Sequence, residues 1–165
     1  MNIYLSGFMG AGKTCVGRLL ARRLRRPFID LDREVARSSG RSIPELVRGG
    51  EAAFRRLESA ALRRAAARRS VVVALGGGTL LRASNRALAR RTGVLVSLSC
   101  SEAVLWSRLR RDEGVRPLLG PEPGRRARMR RLLAGRRSLY RDADVVVSSS
   151  GSTPRLTASR IASML

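Results

Sequence analysis

Histidine is absent from this chain of 165 residues, and cysteine occurs only twice, at Cys15 and Cys100. Two cysteines without a nearby cysteine or histidine exclude a zinc site and a disulfide-rich secreted scaffold, and they favour free thiols. Long hydrophobic runs are also missing, since the longest aliphatic run covers residues 71–75, whereas about 20 residues are needed to cross a bilayer. The first residues lack the basic flank and apolar core of a signal peptide. We therefore expect a soluble, cytoplasmic protein with no membrane partner.

Acidic residues are few: the chain has 12 of them and 34 basic residues, which gives a formal net charge of +22. Such an excess raises nucleic acid as a partner. However, all basic residues but one are arginines scattered from Arg18 to Arg160, and the six aromatic residues follow no RNA-binding or helix-turn-helix pattern. This distribution favours a drift in composition, so nucleic acid is not expected as a partner. The single lysine, Lys13, is the exception.

Lys13 belongs to a glycine-rich motif, since residues 7–14 match the pattern G-x-x-x-x-G-K-[ST] between a predicted strand and a predicted helix at 14–24. In this motif, backbone N–H groups and the helix N-terminus surround phosphates. Lys13 would reach the β- and γ-phosphates, and the Thr14 hydroxyl would bind Mg²⁺. An ordinary glycine-rich turn with a solvated lysine is the alternative. The candidate nucleotide-binding residues of the motif are Gly10, Ala11, Gly12, Lys13, Thr14 and Cys15.

The remaining sequence alternates predicted strands and helices, which is typical of a parallel sheet with helices on both faces. The candidate strands cover residues 3–6, 27–30, 70–75, 93–98 and 144–148. Ser42 with Glu45 predicts a capping box, and Thr153 with Pro154 predicts a helix start. Without internal repeats or linkers, residues 1–165 are expected to form a single domain, with a mobile loop at about residues 112–124.

Two aspartates follow the second predicted strand, at the sheet edge where ligands of parallel sheets bind. An extended backbone would place the carboxylates of Asp30 and Asp32 on the same side. One carboxylate would complete the water shell of Mg²⁺, and the other would align an acceptor hydroxyl for attack on the γ-phosphorus. A surface turn in which Asp32 caps the next helix is the alternative.

Three glycines at residues 76–78 follow the third predicted strand. A turn of three residues does not need three glycines, so we predict a close approach of the backbone to a ligand rather than a merely flexible connection. Arg55 lies at the edge of the apolar stripe of a predicted helix. Its structural alternative is an ion pair along that helix with Glu51 or Glu58.

Together these motifs resemble the shikimate kinase family, in the order and at nearly the spacing of that family. The matching segments are Gly7-Phe8-Met9-Gly10-Ala11-Gly12-Lys13-Thr14, Asp30-Leu31-Asp32, Gly40-Arg41-Ser42-Ile43, Gly50-Glu51 with Phe54-Arg55, Gly76-Gly77-Gly78, Arg116-Pro117-Leu118-Leu119, and Arg136 with Leu139-Tyr140. The resemblance implies an α/β fold, a three-layer P-loop kinase-like sandwich with a five-stranded parallel sheet and a mobile lid. It also implies phosphorylation of the 3-hydroxyl of shikimate by ATP, a step in the synthesis of chorismate and the aromatic amino acids.

The resemblance assigns acceptor-site roles residue by residue. Asp32 would hold the reacting hydroxyl and act as its base. Arg55 and Arg136 would clamp the carboxylate of shikimate, which agrees with the match between guanidinium forks and carboxylates. Gly77 and Gly78 would offer backbone contacts to the ring.

On the nucleotide side, the resemblance places Arg116 of the lid on the transferring phosphate, where it would act in catalysis beside Lys13. Asp30 would support Mg²⁺ through water, and Arg110 would lie along the adenine. The expected cofactor is Mg²⁺ with ATP as phosphoryl donor, and the expected assembly is a monomer.

Two alternatives remain open at this stage. A related kinase would phosphorylate another hydroxylated acid, such as gluconate. A nucleotide-regulated module that binds nucleic acid would account for the charge. Turnover that depends on the acceptor separates the two kinases from the module.

Overall fold

The computed structural model describes residues 1–111, 117–121 and 123–165. Within these residues, five strands form one parallel sheet in the order β2-β3-β1-β4-β5. The strands are β1 (Asn2–Gly7), β2 (Phe28–Asp30), β3 (Val72–Ala74), β4 (Gly93–Ser99) and β5 (Val145–Ser148). The helices are α1 (Lys13–Arg23), α2 (Leu31–Ser39), α3 (Ile43–Arg48), α4 (Glu51–Ala66), α5 (Ala83–Thr92), α6 (Glu102–Arg111), α7 (Arg125–Arg141) and α8 (Pro154–Met164). None of these helices is both long enough and apolar enough to cross a membrane.

Helices cover both faces of the sheet. Successive side chains of a strand point to opposite faces, so neighbouring residues of one strand show which helices pack on each face. Leu5 of β1 packs in a buried cluster with Leu20 of α1 and Ile161 of α8. The preceding residue, Tyr4, belongs to the opposite cluster, which includes Leu62 of α4. The predicted three-layer α/β sandwich is therefore confirmed.

The predicted strands and helix starts match the structure closely. The third strand begins two residues later than expected, because Ser70 has a φ of 56°, in the left-handed region that a strand excludes. The capping box is confirmed, since Ser42 and Glu45 exchange hydrogen bonds at the start of α3. The Ser42 hydroxyl and N–H hold the pKa of Glu45 below its usual value. Thr153 caps α8 as predicted.

The segment predicted as a mobile loop at 112–124 lies partly outside the described residues, which omit 112–116 and 122. Of the described part, Pro117–Leu119 forms a short 3₁₀ turn, and Leu119 is buried against the cluster beneath α6 and α7. The lid stays a prediction.

Candidate active site

The loop between β1 and α1 lies at the carboxyl edge of the sheet. Gly12 has a φ of 97°, which favours glycine, and this conformation lets α1 begin directly at Lys13. The N-terminal N–H groups of α1 therefore open toward the cavity at this edge. Lys13 folds over the loop, where Nζ donates to the carbonyl oxygens of Gly7 at 2.9 Å and Phe8 at 3.0 Å. The positive end of the helix and the ammonium thus lie together, as anion binding requires.

This phosphate-loop cavity has a volume of about 510 Å³. The predicted site residues that line it are Gly10, Ala11, Gly12, Lys13, Thr14, Cys15, Asp30, Asp32 and Gly77. The hydroxyl of Thr14 donates to Oδ2 of Asp30 at 2.7 Å. Two neighbouring oxygen ligands on the wall of a phosphate cavity fit Mg²⁺, which binds few protein oxygens and retains waters and phosphates.

The expected geometry of the two aspartates is wrong in one respect. Helix α2 begins at Leu31, so the backbone from Leu31 to Asp32 is helical rather than extended. Asp30, and not Asp32, caps the helix, with Oδ1 accepting from the N–H of Arg33 at 3.3 Å. Both carboxylates nevertheless line the phosphate-loop cavity.

A second cavity of about 490 Å³, the acceptor cavity, adjoins the first. The predicted substrate-binding residues all line it: Asp32, Arg55, Gly77, Gly78 and Arg136. The two cavities share Met9, Asp32 and Gly77. The carboxylate of Asp32 therefore lies at the junction of a phosphate site and a site with two guanidinium groups.

Two of the three glycines after β3, Gly76 and Gly78, are approached closely by side chains of the protein, whereas the sequence predicted the approach of a ligand. A Cβ atom on Gly76 would lie 2.6 Å from Oε1 of Glu58 and 2.7 Å from Oδ1 of Asp32. On Gly78 it would lie 2.6 Å from both terminal nitrogens of Arg55. Glycine is thus required here to let three charged side chains reach the acceptor cavity. Contact of these glycines with a ligand stays a prediction.

Arg55 forms ion pairs with both Glu51 and Glu58, the contacts that the sequence offered as an alternative to substrate binding. Its guanidinium lies 3.0 Å from Glu51 and 2.9 Å from Glu58, and the Glu58 side chain is only 1% exposed. Burial alone would lower the pKa of Arg55, but Glu58 and Glu51 outweigh it, so the pKa is raised above its ordinary value. The other carboxylate oxygen of Glu58 accepts a hydrogen bond of 2.5 Å from Thr79. This network fixes the guanidinium and leaves it fully charged on the wall of the acceptor cavity.

Helix α7 supplies the second guanidinium. Arg136 is buried and donates from Nη1 to the carbonyl oxygen of Gly77 at 3.2 Å, and the hydroxyl of Tyr140, one turn later, donates to the same oxygen at 2.8 Å. Burial raises the pKa of Tyr140, against the opposing charge of Arg136, so the phenol remains a donor at neutral pH. The helix is therefore anchored to the glycine turn.

Two predicted residues are not placed in the site by the described structure. Arg110 is exposed and lines neither cavity, whereas Arg108 lines the phosphate-loop cavity and donates to the carbonyls of Gly10 at 3.0 Å and Ser149 at 3.2 Å. Arg116 lies outside the described residues. The sequence offers no signal that distinguishes Arg108 from the other arginines of α6.

A glycine-rich phosphate loop beside a cavity lined by two guanidinium groups is typical of a small-molecule kinase of the P-loop class. The family model described as "Shikimate kinase" matches residues 9–165. The chain is 48% identical to the shikimate kinase of Symbiobacterium thermophilum over 147 residues, which is 87% of this chain and 83% of the relative. It is 44% identical to that of Bordetella pertussis over 158 residues, or 95% of this chain and 74% of the relative. The chain belongs to the shikimate kinase family and is an ATP-dependent phosphotransferase with an alcohol as acceptor.

Solved structures agree with this assignment. A shikimate kinase from Acinetobacter baumannii in complex with shikimate superposes with a TM-score of 0.93 at 38% identity, covering 99% of this chain and 91% of that one. A gluconokinase from Sinorhizobium meliloti has a TM-score of 0.57 at 20% identity over 99% of this chain and 94% of that one. At that identity the gluconokinase shares the fold alone.

Proposed function

We propose that this chain transfers the γ-phosphoryl group of ATP to the 3-hydroxyl of shikimate, giving shikimate 3-phosphate and ADP for the synthesis of aromatic amino acids. The observation that carries the proposal is the position of Asp32 on the walls of both cavities. A hydroxyl bound beside Asp32 would face the end of a triphosphate held by the loop. Membership in the family and the solved complex of a relative with shikimate support the choice of acceptor.

On the donor side, the loop from Gly10 to Gly12 and the N–H groups of Thr14 and Cys15 would bind the phosphate oxygens. Lys13 would move from the carbonyls of Gly7 and Phe8 onto the β- and γ-phosphates. Its charge would then stabilise the negative charge that spreads over the transferring group.

Thr14 and Asp30 would hold Mg²⁺, Thr14 through its hydroxyl and Asp30 through water. When bound, the ion would supply positive charge that offsets the negative charge of the phosphates. Arg108 contacts the loop carbonyl of Gly10 and supports the shape of the cavity. The roles proposed for Arg110 at the adenine and for Arg116 at the phosphate rest on the family pattern.

On the acceptor side, Arg55 and Arg136 would bind the carboxylate, because two guanidinium forks match a planar anion. The backbone of Gly77 and Gly78 would contact the ring and fix its orientation. Asp32 would accept the proton of the 3-hydroxyl while the hydroxyl oxygen attacks the γ-phosphorus. The bond between the γ-phosphorus and the oxygen that bridges it to the β-phosphate would break, which releases ADP. The acceptor is thus held before the chemistry begins, which removes much of its entropic cost.

We further propose that residues 1–165 act as a single, monomeric, cytoplasmic kinase domain that does not use nucleic acid as a partner. The scattered arginines support this view, because they build no contiguous pattern for base or phosphate recognition. A salt titration tests the exclusion of nucleic acid. We expect any affinity to fall steeply with added salt, as counterion release requires, whereas affinity that persists at high salt would contradict the exclusion.

The release of ADP with a panel of acceptors tests the proposed reaction. We expect turnover with Mg·ATP and shikimate, and little with gluconate. The methyl ester of shikimate keeps the ring and hydroxyls but lacks the carboxylate charge, so its KM should rise while ATP binding is unchanged. Equal rates with shikimate and its ester would contradict the role of the two arginines, and turnover without any acceptor would contradict the kinase.

A further inference from the structure

A third cavity, of about 740 Å³, lies outside the catalytic site between the ends of β4 and β5 and the helices α6 and α7. We call it the β5 cavity. Its walls include Leu105, Leu133 and Val146, and Val146 is 47% exposed on the edge strand. These walls suit a ligand with an apolar body.

The cavity also has a cationic rim. Arg130, Arg137 and Arg141 of α7 line it together with one carboxylate, that of Glu102. Glu102 accepts a hydrogen bond of 2.6 Å from Nε of Arg130, which holds the pKa of Glu102 below its usual value. Arg130 and Arg126 share this carboxylate, whereas Arg137 and Arg141 form no ion pair among the described residues. Within the part of the chain that the structure describes, the rim therefore presents two guanidinium groups without a carboxylate partner.

Five serines are among the lining residues of the β5 cavity: Ser97, Ser99, Ser101, Ser148 and Ser150. Ser97 is fully buried in β4, and its Oγ has no hydrogen-bond partner within the described part of the chain. A buried hydroxyl without a partner is unfavourable, and such groups usually meet a ligand or an ordered water. The apolar walls and the cationic rim therefore carry the indication of a binding site.

We propose that the β5 cavity binds an aromatic carboxylate, with the ring between Leu133 and Val146 and the carboxylate at Arg137 and Arg141. The ring would pack against the apolar walls, and the carboxylate would form ion pairs with the two guanidinium groups of the rim. A neutral aromatic would leave the two guanidinium groups without a partner. A small inorganic anion would leave the apolar walls without contacts.

Proximity to the catalytic site decides the design of the test. Tyr140 lines the β5 cavity, while its hydroxyl donates to Gly77 on the wall of the acceptor cavity. Because the acceptor cavity also binds carboxylates, the measurement needs saturating shikimate. It rests on the proposed binding of shikimate but needs no turnover, so it stands or falls separately from the proposed phosphoryl transfer.

The experiment follows the NMR methyl signals of Val146 and Leu133 during titration with 2-naphthoate, with 2-naphthylmethanol as the neutral analogue. We expect 2-naphthoate to saturate both signals with a Kd below about 1 mM in the presence of shikimate. The double variant Arg137→Gln/Arg141→Gln should weaken binding about tenfold, since it removes two charge-assisted hydrogen bonds. The variant Val146→Trp, which fills the cavity, should abolish binding.

The control variant Arg22→Gln/Arg23→Gln removes the same charge from the exposed end of α1 and should bind as the wild type does. The proposal is overturned by unchanged methyl signals up to about 10 mM naphthoate. It is equally overturned by binding of 2-naphthylmethanol with the same affinity, by equal weakening in the control variant, or by complete displacement with shikimate.

Discussion

Nη1 of Arg55 lies 2.9 Å from Oε2 of Glu58, and the carboxylate is the more deeply buried partner, with 1% of its side chain exposed against 11% for the arginine. Thr79 occupies the other oxygen of this carboxylate. Both oxygens of Glu58 are thus engaged by the protein, and the carboxylate determines where the guanidinium points. Glu51 contacts the same guanidinium from the solvent side, where 57% of its side chain is exposed.

The first prediction concerns this buried carboxylate. Glu58→Gln should raise the KM for shikimate about tenfold, because the buried ion pair that orients Arg55 loses its negative charge, while the KM for ATP stays unchanged. The matched control is Glu51→Gln, which should change either KM less than about twofold because exposed ion pairs contribute little. Steady-state kinetics with each substrate varied in turn measures both. An equal rise in both constants, with a lowered melting temperature, would assign Glu58 to stability alone.

The second prediction concerns the space above Gly78. Gly78→Ala should raise the KM for shikimate, because the new methyl group would displace the guanidinium of Arg55 held beneath it. Gly135→Ala on α7 is the control, since nothing lies within 4 Å of a Cβ atom there. That control should increase the free energy of unfolding by about 0.5–1 kcal/mol and leave kinetics unchanged. If Gly78→Ala binds shikimate normally, the guanidinium has no fixed role.

Local patterns predicted most of the sheet and the phosphate loop. Strands of a buried parallel sheet are continuous apolar segments, and a phosphate loop needs fixed residues at fixed spacing, so both are visible without tertiary contacts. The capping box at Ser42 is equally local. The start of α2 at Leu31 was harder to predict, because the side chain of Asp30 ends the strand and caps the helix within one residue.

Residues whose roles depend on distant partners were not predictable. Glu58 looked like an ordinary helical partner of Arg55, and only the fold brings it to Thr79, 21 residues away. Arg108 was hidden by the abundance of arginine, and its contact with Gly10 spans 98 positions. Because the chain contains so many arginines, the sequence does not show which of them has a function.

The third prediction concerns proton transfer. Asp32→Asn should lower kcat by about 10²–10⁴-fold, because the amide cannot accept the proton of the attacking hydroxyl. Shikimate binding, measured by calorimetry, should change little, since the amide keeps the shape of the side chain. A doubled KM with intact kcat would reduce Asp32 to a positioning residue.

The fourth prediction concerns the phosphate loop. Lys13→Met should reduce kcat by more than about 10³-fold, because it deletes the charge that stabilises the transferring phosphate. Circular dichroism should show a retained fold. The variant Arg22→Met removes one charge from the exposed end of the same helix and should turn over normally. Near-normal turnover by the Lys13 variant would remove the assignment of the loop.

The last prediction uses the raised pKa of Tyr140. Because burial favours the neutral phenol, the folded state has the higher pKa, and the phenol contributes stability below its ordinary value of 10.0. That contribution is lost as the pH rises through the folded pKa. Tyr140→Phe also loses the hydrogen bond to Gly77, so it should be less stable than the wild type at pH about 8, with the difference shrinking above pH about 10. Urea unfolding of both proteins at several pH values measures this difference. A difference that stays constant across that range would mean that Tyr140 does not titrate with folding.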